Sequence, residues 1–305
     1  MAGLLAGAMT AFASLPAIAL DPQPPVVVSM TWLGNPAVGP CGSPHFARGN
    51  PRYLSFGCRG ALTPDDDNDR ADSFWYDRVT GTLERVSLTS EGHEIRFESF
   101  GGFPSDNGRY VALESWGPLH PDAAPPLPGF ERANAFLRDR QAGTTALISR
   151  NIAGQPTYLG VALQDALPER TEVLLQTQSL LLSPPDDPLA VDNNLYVRNW
   201  VTGAVELISG TDEGALADGS SGVGRLSTGG RYALFASSAT SLPAAPPFGS
   251  GSNLYLRDRL AETTQRLTFP WQGGEFTGEF SVDIHRPRIT PDGRYVLYAS
   301  RHPEV

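Results

Sequence analysis

Three aspartates in alternation, Asp65, Asp67 and Asp69 in the run Thr63-Pro64-Asp65-Asp66-Asp67-Asn68-Asp69-Arg70, have the spacing that most directly suggests chemistry. A hard cation such as calcium takes several oxygens, and acidic side chains at alternate loop positions can converge on one centre. The run lacks the glycine and the distal glutamate of an EF-hand loop. Two readings therefore stay open: a calcium site that stiffens the loop, and a solvated acidic loop, which is the commoner use of such a run. No other cofactor is implied.

The remaining candidates are weaker. The five histidines, His45, His93, His120, His285 and His302, show no H-x-x-x-H spacing, and His285 beside Arg286 reads first as an ordinary strand or surface position. Trp116 with His120, and Trp271 with Phe276, are the aromatic groupings from which a sugar- or peptide-binding platform could be built. Core packing is the competing use of both. Cys41 and Cys58 are close in sequence and suit a disulfide in an exported chain, with no neighbouring histidine or second cysteine pair to suggest zinc. No G-x-S-x-G nucleophile elbow occurs. No residue is assigned a catalytic role, and the chain reads as a non-enzyme.

Composition narrows the class. Among 305 residues there are 32 Gly and 27 Pro against only 23 Lys plus Arg, which favours turns over long helices. The net charge of −10, with no cationic cluster interleaved with aromatics, argues against a nucleic-acid partner. Residues Met1 to Leu20 are apolar and end in the A-x-A-like Ala17-Ile18-Ala19 before Asp21, the pattern of a signal peptide, although the positive n-region is missing and a weak membrane anchor is the alternative. No later stretch is apolar enough to span a membrane. The expected location is periplasmic or secreted.

The elements that would position these residues emerge from self-comparison. Four sixteen-residue windows align without gaps: Asp72 to Ser87, Asn134 to Ser149, Asn194 to Ser209 and Asn253 to Thr268. Each has an apolar and aromatic stretch, a polar position (Asp77, Asp139, Asn199, Asp258), a short turn and a second stretch ending in Ser or Thr. This is a β-hairpin, with the Asp or Asn side chain bonding the turn backbone and Gly81, Gly143 and Gly203 supplying a positive φ. The fourth copy carries Glu262 there and needs a strained or different turn. Upstream lies a second strand, beginning Arg52-Tyr53, Arg109-Tyr110, Arg231-Tyr232 and Arg294-Tyr295, degenerate in the third unit as Arg170-Thr171-Glu172. Short stretches such as Gly224 to Ser227 and Pro287 to Thr290 read as the first strand. The unit is thus four antiparallel strands, a to d, with repeats near 45–87, 104–149, 157–209, 223–268 and 286–305 after the leader at 1–20.

Such a unit cannot bury both faces alone, and radial stacking about an axis is the natural solution. The stretches "DGRYVLYAS" (Asp292 to Ser300), "NLYLRDR" (Asn253 to Arg259) and "TTQRLT" (Thr263 to Thr268) resemble the WD-repeat-like propeller units of TolB-type proteins, and the resemblance extends over nearly all of residues 21–305. It implies an all-β β-propeller of about five four-stranded blades. It implies no activity, because such units serve as periplasmic scaffolds, surface-protein modules and non-catalytic propellers of some peptidases. Val26 to Met30 resembles a d strand and is expected to complete the last blade, which otherwise lacks its c strand. The alternatives are a slightly open ring and a chain that is a fragment.

Antiparallel order places the b–c and d–a connections on one face, and these are the long loops on which a ligand is expected to land. The reading is an exported, monomeric propeller that binds a protein or cell-envelope partner through that face. The rivals are a lyase or hydrolase acting on a polysaccharide from the central channel, and a propeller module of a larger surface or peptidase protein.

Overall fold

In the computed structural model, residues 27–299 are described except for 32, 124–132, 158, 180, 183–191, 245–251 and 270–284. Four antiparallel sheets of four strands follow one another along the chain. Blade one is β1 (Cys41–Phe46), β2 (Tyr53–Cys58), β3 (Asp72–Asp77) and β4 (Thr82–Arg85); blade two is β5 (Ser99–Pro104), β6 (Tyr110–Ser115), β7 (Asn134–Asp139) and β8 (Thr144–Leu147). Blade three is β9 (Ala162–Leu167), β10 (Glu172–Thr177), β11 (Asn194–Asn199) and β12 (Val205–Leu207); blade four is β13 (Ser221–Leu226), β14 (Tyr232–Ser237), β15 (Asn253–Asp258) and β16 (Thr263–Arg266). A fifth sheet has two strands, β17 (His285–Ile289) and β18 (Val296–Ala299).

Each c–d hairpin is closed by one carboxylate or amide. Oδ1 of Asp77, Asp139, Asn199 and Asp258 accepts the two N–H groups of the following turn, for example Gln141 and Ala142 at 3.1 Å from Asp139. In three blades the same aspartate is gripped from strand b by a forked arginine: Arg52 on Asp77, Arg109 on Asp139 and Arg231 on Asp258, each with a contact of 2.6 Å. Those arginines also lie over the rings of Tyr53, Tyr110 and Tyr232. Hydrogen bonding to the arginine holds the Asp139 and Asp258 carboxyls below the usual range. At the other end of the hairpin a buried Ser or Thr hydroxyl donates to the first residue of strand c, Ser149 to Asn134 at 3.2 Å and Thr268 to Asn253 at 2.8 Å.

The b strands are buried on both faces. Val111 and Leu113 pack with Trp75 and Val86 of blade one, whereas Ala112 joins Val173 and Leu175 of blade three, so each blade seals the next. Arginine spokes fasten the outer part of the interfaces. The Arg140 guanidinium stacks 3.2 Å from the Trp75 ring centroid and binds Glu84 of blade one, and Arg259 binds Glu206 and Glu172 of blade three. A disulfide joins Cys41 to Cys58, which stand opposite each other in the β1–β2 register.

Two expectations are refined here. The fourth hairpin keeps the same turn as the others: Glu262 adopts φ 56°, alongside φ values of 73°, 69° and 77° at Gly81, Gly143 and Gly203. The N-terminal segment does repeat the d–a turn, with a bridge from Met30 to Pro36 like those from Arg150 to Pro156 and Gly210 to Leu216. Among the described residues, however, it pairs with no strand of the fifth sheet, and Val28 packs on the blade-one cluster of Leu54, Phe56 and Phe74. Among the described residues the c position beside β18 is unfilled, and a d-like strand needs a c strand about 4.8 Å away to bond to.

A non-glycine residue held in the left-handed region costs about 1–2 kcal/mol. Glu262→Gly should therefore raise the stability by roughly 0.5–1 kcal/mol after the entropy gained by the unfolded chain is subtracted. Gly143→Glu should lower it by a similar amount. Urea unfolding of the two variants checks this, and a destabilised Glu262→Gly protein contradicts the account of the turn.

Candidate functional site

The inner strands β1, β5, β9, β13 and β17 line the axis, and each aims one residue of the same register into it. His45, Phe103, Asp165, Arg225 and Arg288 stand opposite Ser55, Ala112, Leu174, Leu234 and Leu297 of their respective b strands. All five line one cavity of about 360 Å³, with Phe46, Arg48, Thr228 and Pro291 at its rim. These rim residues lie at or past the ends of the inner strands, so the cavity opens on the a–b-turn side, opposite the long loops. A second cavity of about 240 Å³ continues inward between Ser43, Phe100, Glu114, Leu163 and Gln164 and shares His45, Phe103 and Arg225.

A bulge aims these side chains. The register slips between Gly42 and His45, Phe100 and Phe103, Gly222 and Arg225, and His285 and Arg288. An extra residue in one strand breaks the alternation and turns the next side chain. Two of the bulges store backbone strain, with Ser43 at φ 50° and the β-branched Val223 at φ 54°. In blade two the inner strand approaches its neighbour so closely that a Cβ on Gly101 would lie 2.5 Å from the Ser43 carbonyl oxygen. Backbone strain of this kind gathers at functional sites.

Electrostatically the mouth is cationic on an acidic protein. Arg48 is neutralised by Asp165, whose buried carboxylate also accepts the Leu226 N–H at 2.8 Å. Arg225 bonds only the Gln164 and Gly224 carbonyls, at 2.7 Å each, and Arg288 only the Pro287 carbonyl, at 3.1 Å. Neither has a carboxylate partner among the described residues. Burial, and then the like charges of Arg288 and Arg48, push the Arg225 guanidinium below its ordinary pKa despite the pull of Asp165. His45 is lowered to about 4, chiefly by burial, and is neutral at pH 7. Glu114 faces the inner cavity, accepts the Leu163 N–H at 2.7 Å, and is raised by burial. An anionic group entering the mouth meets two unneutralised guanidinium groups in a partly desolvated setting, where charge-assisted bonds are strongest.

No family model and no curated protein matches the sequence. Solved structures do. The putative TolB from Agrobacterium tumefaciens superposes with a TM-score of 0.52 at 13% identity, over 88% of this chain and 72% of that one. The fold is that of a TolB-type β-propeller. TolB from Acinetobacter baumannii gives a TM-score of 0.48 at 16% identity, over 87% of this chain and 50% of that protein, so this chain spans about half of its length. At these identities the likeness is one of fold alone.

The candidates singled out by spacing fall elsewhere on the propeller. Asp65 pairs with the buried Arg85 at 2.7 Å, and Asp67 and Asp69 are exposed. The carboxylates that do gather are Asp66, Asp72 and Glu94, at the root of the same loop. The Arg85 guanidinium lies among them, bonded to Glu94 and 3.7 and 3.9 Å from Asp66 and Asp72, so a protein cation occupies the middle of the cluster. Trp116 packs edge-on against Phe100 at 5.1 Å, whereas His120 accepts the Asp122 N–H at 3.1 Å; no ring contact joins the two. His285 lies in β17, with its side chain outside the described atoms, and Trp271 and Phe276 lie outside the described residues. The inner strands share little in residue type: only Arg225 and Arg288, in Gly224-Arg225-Leu226-Ser227 and Pro287-Arg288-Ile289-Thr290, repeat one another. The signal for the ring is positional: five residues of four types at one register of the repeat.

Asp72 stands where the other three blades carry Asn134, Asn194 and Asn253. Burial raises its carboxyl to about 7, despite the Ser87 hydroxyl that donates to it. The folded state therefore holds a proton between about pH 4 and 7 that the unfolded chain has released, and stability falls as pH rises through that window. Asp72→Asn should remove this loss, raising the thermal midpoint at pH 8 by roughly 2–4 °C with little effect at pH 4. Thermal melts of both proteins across this range provide the measurement, and a difference independent of pH contradicts the assignment.

Proposed function

We propose that this propeller is an exported binding module that holds an acidic segment of a protein or cell-envelope component in the mouth of its channel, without covalent change to either. The observation that carries the reading is the pair of arginines, Arg225 and Arg288, that line a cavity of about 360 Å³ and, among the described residues, make no ion pair, the nearby Asp165 carboxylate being bonded to Arg48. The cavity is open on the a–b-turn side and floored by Phe103, so a chain end or loop can enter it and lay its carboxylates on the guanidinium groups. Export is supported by the apolar run from Met1 to Leu20. Among the described residues no helix is long and apolar enough to cross a membrane.

The channel-enzyme reading needs His, Asp and Glu side chains converging on one point. Among the described residues the trio that does so is Asp66, Asp72 and Glu94, away from the channel ring and around Arg85. His45, Asp165 and Glu114 line the two channel cavities but form no such cluster among the described residues.

Fluorescence anisotropy with a labelled hexaglutamate peptide tests the proposal, with hexalysine as control. The acidic peptide should bind saturably and the basic one should not. The double variant Arg225→Ala/Arg288→Ala should bind about tenfold more weakly or worse, and added salt should weaken wild-type binding. If the double variant keeps its thermal midpoint and binds hexaglutamate as tightly as the wild type, the channel mouth is not the recognition site.

A further inference from the structure

The fifth residue of strand c is arginine in blades two, three and four: Arg138, Arg198 and Arg257. All three are buried, and each stands opposite the same position of strand d, filled by Thr145, Val205 and Thr264. The d–a turn of the preceding blade has one shape in all three cases. In Thr89–His93, Asn151–Gln155 and Thr211–Ala215 the first N–H bonds the fifth carbonyl and the fourth N–H the first carbonyl, at 2.9 or 3.0 Å. The second residue of the turn differs: Ser90, Ile152 and Asp212.

In two blades this residue reaches the next blade and serves its arginine and strand d together. Asp212 Oδ1 accepts the Thr264 N–H at 2.8 Å and an Arg257 terminal N–H at 3.2 Å, and Arg257 also donates to Thr264 Oγ1. Ser90 Oγ accepts the Thr145 N–H at 3.0 Å, while the same nitrogen of Arg138 donates to the Thr89 and Gly143 carbonyls and to Thr145 Oγ1. Each buried guanidinium is thereby given acceptors by the fold.

Blade three keeps the arginine and replaces the side chains that serve it. Ile152 stands where Asp212 and Ser90 stand, and Val205 where the two threonines stand, so neither offers an acceptor. Arg198 is 5% exposed, its Nε is buried without a partner, and among the described residues it makes no hydrogen bond or ion pair. Burial, then the like charge of Arg150, push its guanidinium below the ordinary pKa, with no acidic group opposing them. Arg150 itself is held by Asp122 at 2.5 Å. The Asn199 N–H bonds the Ala204 carbonyl at 2.9 Å, so the next pair, Arg198 and Val205, is of the non-hydrogen-bonded kind and the Val205 N–H points away from β11. That is the N–H which Asp212 and Ser90 take up in the other two blades.

We propose that Arg198 and the Val205 N–H form a binding site for a carboxylate that comes from outside the fold, one of its oxygens taking the place that Asp212 Oδ1 takes in blade four. Buried charges are paired in native proteins, because an unpaired one forfeits its hydration without return. A carboxylate answers both donors with charge-assisted bonds. The place is reached from solvent: the Asp212 side chain is 36% exposed in blade four, and Ile152 is 53% exposed. The d–a turns lie on the long-loop face, opposite the channel mouth, so this site is separate from Arg225 and Arg288.

The test is a titration of the full chain with sodium acetate at constant ionic strength, followed by NMR at the Arg198 Nε–Hε signal, which its loss in Arg198→Lys assigns. That signal and the Val205 amide should move saturably together. Ile152→Asp rebuilds the arrangement of blade four with a tethered carboxylate. It should abolish the acetate response of both signals and raise the thermal midpoint by roughly 2–4 °C over Ile152→Asn. A blocked aspartate, acetylated and amidated, separates two sources of the group: binding about tenfold tighter than acetate marks an acidic side chain of a polypeptide, and equal binding a free small carboxylate. Either result keeps the site. An Arg198 signal that acetate leaves in place overturns the proposal, as does an acetate response undiminished in Ile152→Asp. Were Ile152→Asp unstable, the titration of the wild-type chain still decides.

Discussion

Because the middle strands of every blade are apolar on both faces, with Val111 and Leu113 turned toward one neighbour and Ala112 toward the other, no blade can hide its own core. Burial has to be completed by the adjacent blade, and a row of such blades curves around an axis because each sheet is twisted. The remaining features follow from that constraint. The hairpins must be rigid for the faces to match, hence the carboxylate or amide that closes each turn and the hydroxyl that ties the start of strand c to the end of strand d. The outer interface needs polar groups that reach across it, hence the arginine spokes of Arg140 and Arg259.

The chain contains no lysine, so all of its cationic side chains are guanidinium groups. The choice is physically consistent. A planar fork can direct two N–H groups at a carboxylate, stack on an aromatic ring and donate to a carbonyl at once, and Arg140 does all three with Glu84 Oε2, Trp75 and Gly108. A point-charge ammonium would satisfy one of them. Arg225 and Arg288, which make no ion pair among the described residues, line the channel mouth. The inner strands are where the repeat departs most from itself. Their bulges and the positive φ of Ser43 and Val223 sacrifice regular pairing to turn side chains into the channel.

Much of the architecture was legible in the residues because a repeat is a local signal. The aligned Asp77, Asp139, Asn199 and Asp258, the glycines four positions later and the Arg-Tyr pairs marked the hairpins and the b strands, since turn chemistry and alternation depend on near neighbours in sequence. The acidic loop was legible as a cluster but not as an arrangement. Alternation suggested Asp65, Asp67 and Asp69, yet the group that converges is Asp66, Asp72 and Glu94, because Arg85 on strand d and Glu94 beyond it approach only when the sheet forms.

The sequence by itself determined the four-stranded unit, its number of copies and the chemistry of each turn, all of which are set by interactions within a few residues. Only the tertiary structure decided what the copies do together. His45, Phe103, Asp165, Arg225 and Arg288 are of four different types and about sixty residues apart, and only the two arginines have related neighbourhoods. Ring stacking brings them to one point, where burial silences His45, Asp165 is taken by Arg48, and two guanidinium groups are left facing open space.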